Sequence, residues 1–381
     1  MNKKLKSLFM LNPNIIYLNH GSFGACPKLI FESLINYQKM LEFDPVKHLA
    51  YDVYNHLENS RKALSKYINC NKNDVVFSPN PSTALNTVIR SLNLKENDEI
   101  LTTDHEYGAL DKAWKFICKK TGAKYIQQTI PLPLHTKEEF IEHFSKGLTN
   151  KTKIIFISHI TSSTALIFPV KEICKIAKDK GIISIVDGAH APAQIKLDIK
   201  NINPDIYVGA CHKWMCSPKG VSFLYAKKEI QSMIEPLVIS WGYEPENNSN
   251  SQFLDFHQWQ GTKDMSAFLT IPDTINFLNK YNWRNVTKEC YDINLWAREQ
   301  INNLLKKEPL ASKEFIGQMS SFYYDIKEDV FDFNVKFYLK YKIQIPFIEW
   351  KDKTLMRISI QAYNNKKDIF KLLEALDDLK I

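Results

Sequence analysis

Ile182-Ile183-Ser184-Ile185-Val186-Asp187-Gly188-Ala189-His190 is a near-continuous apolar run that ends on an acid. Upstream, Lys153-Ile154-Ile155-Phe156-Ile157-Ser158-His159 has the same form. A strand with one wet face alternates apolar and polar residues. A strand apolar at successive positions is buried on both faces, as in a parallel sheet covered by helices. Working outward, residues 75–78, 99–103, 124–129, 205–209 and 221–226 read as further strands. Helical patterns lie between them. Pro81-Ser82-Thr83 opens one that carries Leu85, Val88, Ile89 and Leu92 at helical spacing, and others run near 109–120 and 170–180. Strands alternating with helices predict an α/β fold, a mostly parallel, doubly wound sheet.

After residue 227 the rhythm changes. Residues 241–251 are rich in Asn with Pro and Gly, and read as a loop. Helical patterns follow near 267–280 and 286–306. Strands are expected near 315–324, 344–349 and 356–360, with a closing helix at 366–379. The expected organisation is a large unit over 13–280 and a smaller C-terminal α+β unit over 281–381, with residues 1–12 packing against the latter.

Composition narrows the class. The 381 residues are 44% hydrophobic and 24% charged, values of a globular chain rather than a disordered or fibrous one. No apolar run reaches the roughly 18–20 residues of a membrane span. Residues 1–11 lack the apolar stretch of a signal peptide, so a cytoplasmic chain is expected. The formal net charge is +8, but the basic residues are scattered, and a lysine-rich solvated surface is expected rather than nucleic-acid binding. Seven cysteines without CxxC spacing, and histidines without metal-site spacing, predict reduced thiols and no metal.

In open α/β sheets ligands sit beyond the carboxyl ends of the strands. The first strand is followed by Asn80-Pro81-Ser82-Thr83, where Ser82 or Thr83 can cap a helix whose first N–H groups then face an anion. The second is followed by Asp104-His105-Glu106-Tyr107, which offers an aromatic face. The fourth leads into Thr161-Ser162-Ser163-Thr164, a run of hydroxyls for a ligand oxygen or for turn amides. The fifth ends on Asp187, an acid costly to bury without a cation. The sixth leads into His212-Lys213-Trp214, a lysine placed where desolvation can lower its pKa. Anion cap, aromatic, strand-end Asp and then Lys is an order that suits pyridoxal 5′-phosphate, which needs a phosphate site, a stacking face, a carboxylate for its ring nitrogen and an amine for its aldehyde.

With these residues in view, the chain resembles the class V aminotransferase-like, fold-type I pyridoxal-phosphate enzymes, and within them the isopenicillin N epimerase-like group. The resemblance spans nearly the whole chain. It is carried by Tyr17-Leu18-Asn19-His20-Gly21-Ser22-Phe23-Gly24, Asn80-Pro81-Ser82-Thr83, Val186-Asp187-Gly188-Ala189-His190, His212-Lys213-Trp214, Gln260-Gly261-Thr262-Lys263-Asp264 and Arg357-Ile358-Ser359. It implies that Lys213 carries the cofactor, Asp187 pairs with its ring nitrogen and His190 bonds its ring hydroxyl. Tyr107 would stack on the ring. Thr83, with Ser82 and His212, would hold the phosphate, and Thr161 or Ser162 would lie near the ring oxygen. Thr262 would reach the phosphate of a neighbouring subunit, implying a homodimer. Arg357 would clamp the substrate carboxylate, and Asn19 and His20 would line the substrate pocket.

Three positions depart from the family pattern. Ala210 stands where a polar residue is frequent, Lys263 where an arginine is common, and no cysteine follows Cys290. The last argues against persulfide chemistry. The resemblance implies epimerisation or C–S lysis at the α-carbon of an amino acid or amino-acid conjugate, with Lys213, Asp187 and Tyr107 as the catalytic residues. Transamination is the alternative reaction, and a cofactor-fold binding protein without turnover the non-enzymatic one.

Overall fold

The computed structural model describes residues 3–246 and 248–379. Asn247, inside the expected loop, and Met1 and Asn2 of the N-terminal stretch lie outside the described residues. All seven expected strands form one sheet: β1 (Val75–Ser78), β2 (Glu99–Thr103), β3 (Lys124–Gln128), β4 (Thr152–Ser158), β5 (Ile183–Gly188), β6 (Ile206–Ala210) and β7 (Ser222–Ala226). Their order is β1-β7-β6-β5-β4-β2-β3. β7 runs antiparallel to both neighbours, and the remaining pairs are parallel. Since β7 alone is reversed, the other six present their carboxyl ends at one edge.

Two elements precede the sheet that the apolar pattern did not single out, α1 (Lys28–Phe43) and α2 (Val53–Ile68), joined by a π-helical turn at Lys47–Asp52. α1 buries only Ile30 and Leu41, so its apolar period is diluted by exposed Leu29, Phe31 and Met40. α3 (Pro81–Ser91), α4 (Gly108–Thr121) and α5 (Val170–Asp179) then alternate with strands as expected. The doubly buried strands divide their side chains between two cores. Ile154, Phe156, Ile185 and Val208 pack with Leu85, Val88 and Ile89 of α3. Ile155, Ile157, Val186 and Tyr207 face the opposite core with Ile173 of α5. This two-sided burial is the physical cause of the continuous runs IIFI and IISIV.

Past the sheet, the pattern expected as one helix over 267–280 is broken. Ser266–Leu269 is a short turn, and α6 (Ile271–Lys280) restarts with Pro272 in its first turn, where a missing N–H costs nothing. α7 (Trp283–Leu305) follows. The C-terminal region carries an antiparallel sheet of β8 (Met319–Tyr323), β9 (Phe347–Trp350) and β10 (Lys353–Ser359), in the order β9-β10-β8. The strand expected over 344–349 is interrupted at Pro346, which has no N–H to donate. Ile343–Gln344 instead pairs with Ile16–Tyr17 from the N-terminal stretch, and β9 begins after the proline. α8 (Val330–Tyr341) and the closing α9 (Lys366–Asp378) complete the region. Near the N-terminus Phe9 packs edge-on against Tyr363, with ring centres 5.0 Å apart.

Among the described residues no helix is long and apolar enough to cross a membrane, and no cluster of His, Cys, Asp or Glu is arranged to hold a metal ion.

Candidate active site at the carboxyl edge of the sheet

The strand ends and the N-terminal motif converge on a cleft of about 230 Å³. Ser82, Tyr107, Ser162, Asp187, His190, His212 and Lys213 line it, with Ser22 and Phe23 from the N-terminal motif. The β5–β6 register sets Asp187 beside Val208 and Gly188 beside Gly209, so β6 ends one turn short of the lysine.

Lys213 sits in a tight loop after β6. The amides of Cys211 and His212 both bond to the Val221 carbonyl, and the Cys216 amide to the Lys213 carbonyl. Trp214, Met215 and Cys216 are fully buried and anchor the loop. Burial, with the nearby Arg357 guanidinium, pulls the Lys213 amine down to about 8, and Asp187 only partly opposes this. Its Nζ lies 3.1 Å from His190 Nε2. His190 is buried, its Nδ1 accepts the Trp214 indole N–H at 3.3 Å, and burial keeps it well below its ordinary pKa.

Asp187 is buried and accepts the Ala189 N–H at 2.9 Å. Burial raises its carboxyl above the ordinary value, while that N–H and Lys213 pull it back. His212 donates Nδ1–H to the Val221 carbonyl at 2.9 Å, and burial lowers its pKa to about 4. Tyr107 stands at the start of α4 and is 48% exposed, an open aromatic face over the cleft.

Arg357, on β10, is 2% exposed and its pKa is brought down to about 10 by burial. Its fork is held by neutral oxygens. Nη1 donates to the Ser162 carbonyl at 2.7 Å and to Ser162 Oγ at 3.2 Å. Nη2 donates to Ser22 Oγ at 2.9 Å and lies 3.5 Å from Asn19 Oδ1. Nε is buried without a partner.

Several expected placements are corrected. Neither Ser82 nor Thr83 caps α3. Asn80 does, its Oδ1 accepting from the Thr83 amide at 2.8 Å and the Thr83 hydroxyl at 3.1 Å. An amide oxygen two residues earlier reaches the third helical N–H with better geometry. That leaves Ser82 lining the cleft and Thr83 turned to its cap. Of the two hydroxyls left open, Ser162 lines the cleft. Thr161 is fully buried and spends its hydroxyl on the turn, at 2.7 Å from Thr164 Oγ1 and accepting the Leu166 N–H. His20 does not line the pocket either. It is fully buried behind Lys213, with Nε2 3.0 Å from the Lys213 carbonyl and Nδ1 2.8 Å from the Tyr363 hydroxyl. Burial lowers its pKa to about 3. Asn19 stands behind Arg357, also accepting the Ser22 hydroxyl at 2.6 Å. Thr262 is outside this cleft, on an exposed groove with Val46, Tyr54, Trp241 and Trp259.

Sequence reading assigned no role to Glu106, to Ser22 at Arg357 or to Ser158 at Glu106. Glu106 is buried, accepting from Thr103 Oγ1 at 2.7 Å and Ser158 Oγ at 2.5 Å. Burial raises its carboxyl to about 8. No local pattern marks such a residue, because its partners come from two different strand ends.

A family model described as aminotransferase class-V matches residues 26–326. An isopenicillin N epimerase from Amycolatopsis lactamdurans is 27% identical, over 97% of this chain and 96% of its own. An L-cysteine desulfhydrase from Arabidopsis thaliana is 25% identical, over 95% and 87%. Among solved structures, a mutant of C-DES with glycine covalently linked to its PLP cofactor superposes with a TM-score of 0.83 at 20% identity, covering 96% of this chain and 97% of that one.

Proposed function

The chain belongs to the aminotransferase class-V family, and on that premise we propose that it is a pyridoxal 5′-phosphate enzyme acting at the α-carbon of an amino acid, by epimerisation or C–S lysis. The observation that carries this reading is the charge balance of the cleft. A desolvated amine, Lys213, lies in it with one buried carboxylate, Asp187, and the buried guanidinium of Arg357 stands behind Ser22 and Ser162 of its wall. Such a site is completed by an anionic ligand.

The residues fit the cofactor. A lysine lowered toward neutrality is a nucleophilic amine. Ser82, at the start of α3, offers its amide and hydroxyl where the helix dipole favours an anion. Arg357 keeps an unpaired buried Nε. Pyridoxal phosphate, when bound, supplies an aldehyde that condenses with amines and a ring that accepts the electron pair of an α-carbanion. In that setting Lys213, as the free amine, holds the cofactor and takes the α-proton. Asp187 keeps the ring nitrogen protonated by its negative charge. Arg357 turns its fork from Ser162 and Ser22 to a substrate carboxylate, a stronger, charge-assisted pair. Tyr107 shields one face and presents its phenol on that side.

No cysteine lines the cleft. Sulfur carried on an enzyme thiol therefore forms no part of the reading, and a cytoplasmic setting belongs to the same proposal. The epimerase and desulfhydrase relatives support the two reaction types retained. A homodimer belongs to the same proposal. Val46 is 68% exposed and Trp241 82%, on the groove that also holds Thr262, an exposed apolar patch of the kind that marks an interface.

The test is turnover in deuterium oxide with single enantiomers of candidate amino acids. An epimerase builds up the opposite enantiomer with deuterium at the α-carbon. A C–S lyase releases the sulfur group as a thiol or sulfide, with a keto acid and ammonia. A reaction that proceeds only with a keto-acid partner makes the chain a transaminase and removes both. No spectral response to any amino acid, with pyridoxal phosphate present, removes the enzyme reading in favour of a binding protein.

A further inference from the structure

We infer that Trp214 is a positioning residue that holds His190 as the neutral tautomer with its single ring proton on Nε2, turned toward Lys213. Donor and acceptor capacity decides the tautomer. An indole N–H can only donate. Trp214 Nε1 lies 3.3 Å from His190 Nδ1, so Nδ1 accepts and carries no proton. A neutral imidazole then keeps its proton on Nε2. The opposite tautomer and the imidazolium both set an N–H of the ring against the indole N–H.

The constraint passes to the next atom. His190 Nε2 lies 3.1 Å from Lys213 Nζ. With Nε2 protonated, that contact is a hydrogen bond only when Nζ offers a lone pair. The indole therefore orders a chain in which Trp214 donates to His190 and His190 donates to the free amine. Trp214 is fully buried and adjacent to Lys213 in sequence, so one backbone segment carries both the amine and the group that sets its partner's tautomer. His20 packs on the indole, with ring centres 5.0 Å apart, and keeps it from turning away.

Other charged and titratable groups face this chain. Arg357 on β10, His20 and His212 oppose positive charge at His190. Arg357 opposes it at Lys213, and Asp187 on β5 favours it. These groups act on total charge. None of them decides which ring nitrogen holds the proton, and the indole N–H does. Resting on the proposed function, the consequence is that Lys213 meets a carbonyl ligand as a free base, while Nε2–H stays a donor for an oxygen of that ligand.

The first test reads the tautomer in the unaltered chain. In the full-length chain with 15N-labelled histidine, the His190 signals are identified by their loss in His190→Gln. They should show an unprotonated Nδ1 and a protonated Nε2 above about pH 8, where the Lys213 amine is free. A protonated Nδ1 in that range overturns the inference. The second test is Trp214→Phe, which keeps a ring and removes the N–H. The pH midpoint for capture of pyridoxal phosphate should rise by about one unit, slowing capture at pH 7 roughly tenfold. In the His190→Gln background the same change should produce no further shift. A shift that persists there, or a single variant with unchanged midpoint and tautomer, overturns it. If the unaltered chain captures no pyridoxal phosphate at Lys213, the proposed function fails, and the nitrogen spectrum still decides the tautomer.

Discussion

Arg357 and Glu106 show how burial turns ordinary side chains into directed ones. The Arg357 fork rests on Ser162 and Ser22 rather than on a carboxylate. Arg357→Lys keeps a cation but loses the two-pronged geometry, so affinity for carboxylate-bearing substrates should fall by roughly tenfold or more. Titration of the substrate-induced spectral change checks this, and wild-type affinity contradicts the clamp. Glu106 is raised to about 8 from an ordinary value of 4.5. The folded state then holds a proton that the unfolded chain has released. This group's contribution is fully present below about pH 4.5 and is lost as pH rises through about 8, at up to roughly 1.4 kcal/mol per pH unit. Glu106→Gln, which cannot ionise, should therefore lose less stability than the parent between pH 5 and 8. Thermal unfolding at several pH values reads this directly, and parallel curves for the two proteins reject it.

The elements around the cleft depend on close approach. Gly24 ends the short helical turn His20–Phe23 at φ +68, and a Cβ there would lie 2.1 Å from the His212 carbonyl oxygen and 2.9 Å from Lys213 Cα. Only a residue without a side chain lets the N-terminal motif lie against the lysine loop. Gly24→Ala should displace that loop, costing about 1–3 kcal/mol or more in stability and slowing cofactor capture together. A variant with a parent-like melting temperature and capture rate would show that the contact relaxes freely.

The proposed dimer is tested at the scale of the whole molecule. Thr262 lies on the exposed groove beside Trp241, away from its own chain's cleft. If it serves the neighbouring site, Lys213→Ala and Thr262→Ala chains, each impaired alone, should complement when refolded together. A mixed dimer has one site with both residues intact, so activity should recover to about a quarter of the parent level in an equimolar mixture. Absence of recovery in verified mixed dimers returns Thr262 to a surface role.

The strands and their order along the chain were legible because burial on two faces writes itself into consecutive residues. IIFI in β4 and IISIV around β5 need no partner to be recognised. The strand-end positions of Asp187 and Lys213 follow from the same local reading, since a polar residue after such a run sits at the sheet's edge. Helix α1 escaped because its apolar residues are divided between buried and exposed positions. What only the tertiary structure decided are the contacts between residues distant in sequence. Asn80 rather than Ser82 or Thr83 caps α3, Ser162 rather than Thr161 faces the cleft, and His20 lies behind the lysine instead of in the pocket. Each outcome depends on which hydrogen-bond partner lies within about 3 Å. Composition and periodicity specify which surfaces are buried, whereas the direction of a hydroxyl or imidazole is set by the chains that fold against it. Glu106 and Trp214 take their roles from those meetings alone, with Ser158 and Thr103 in one case and His190 in the other.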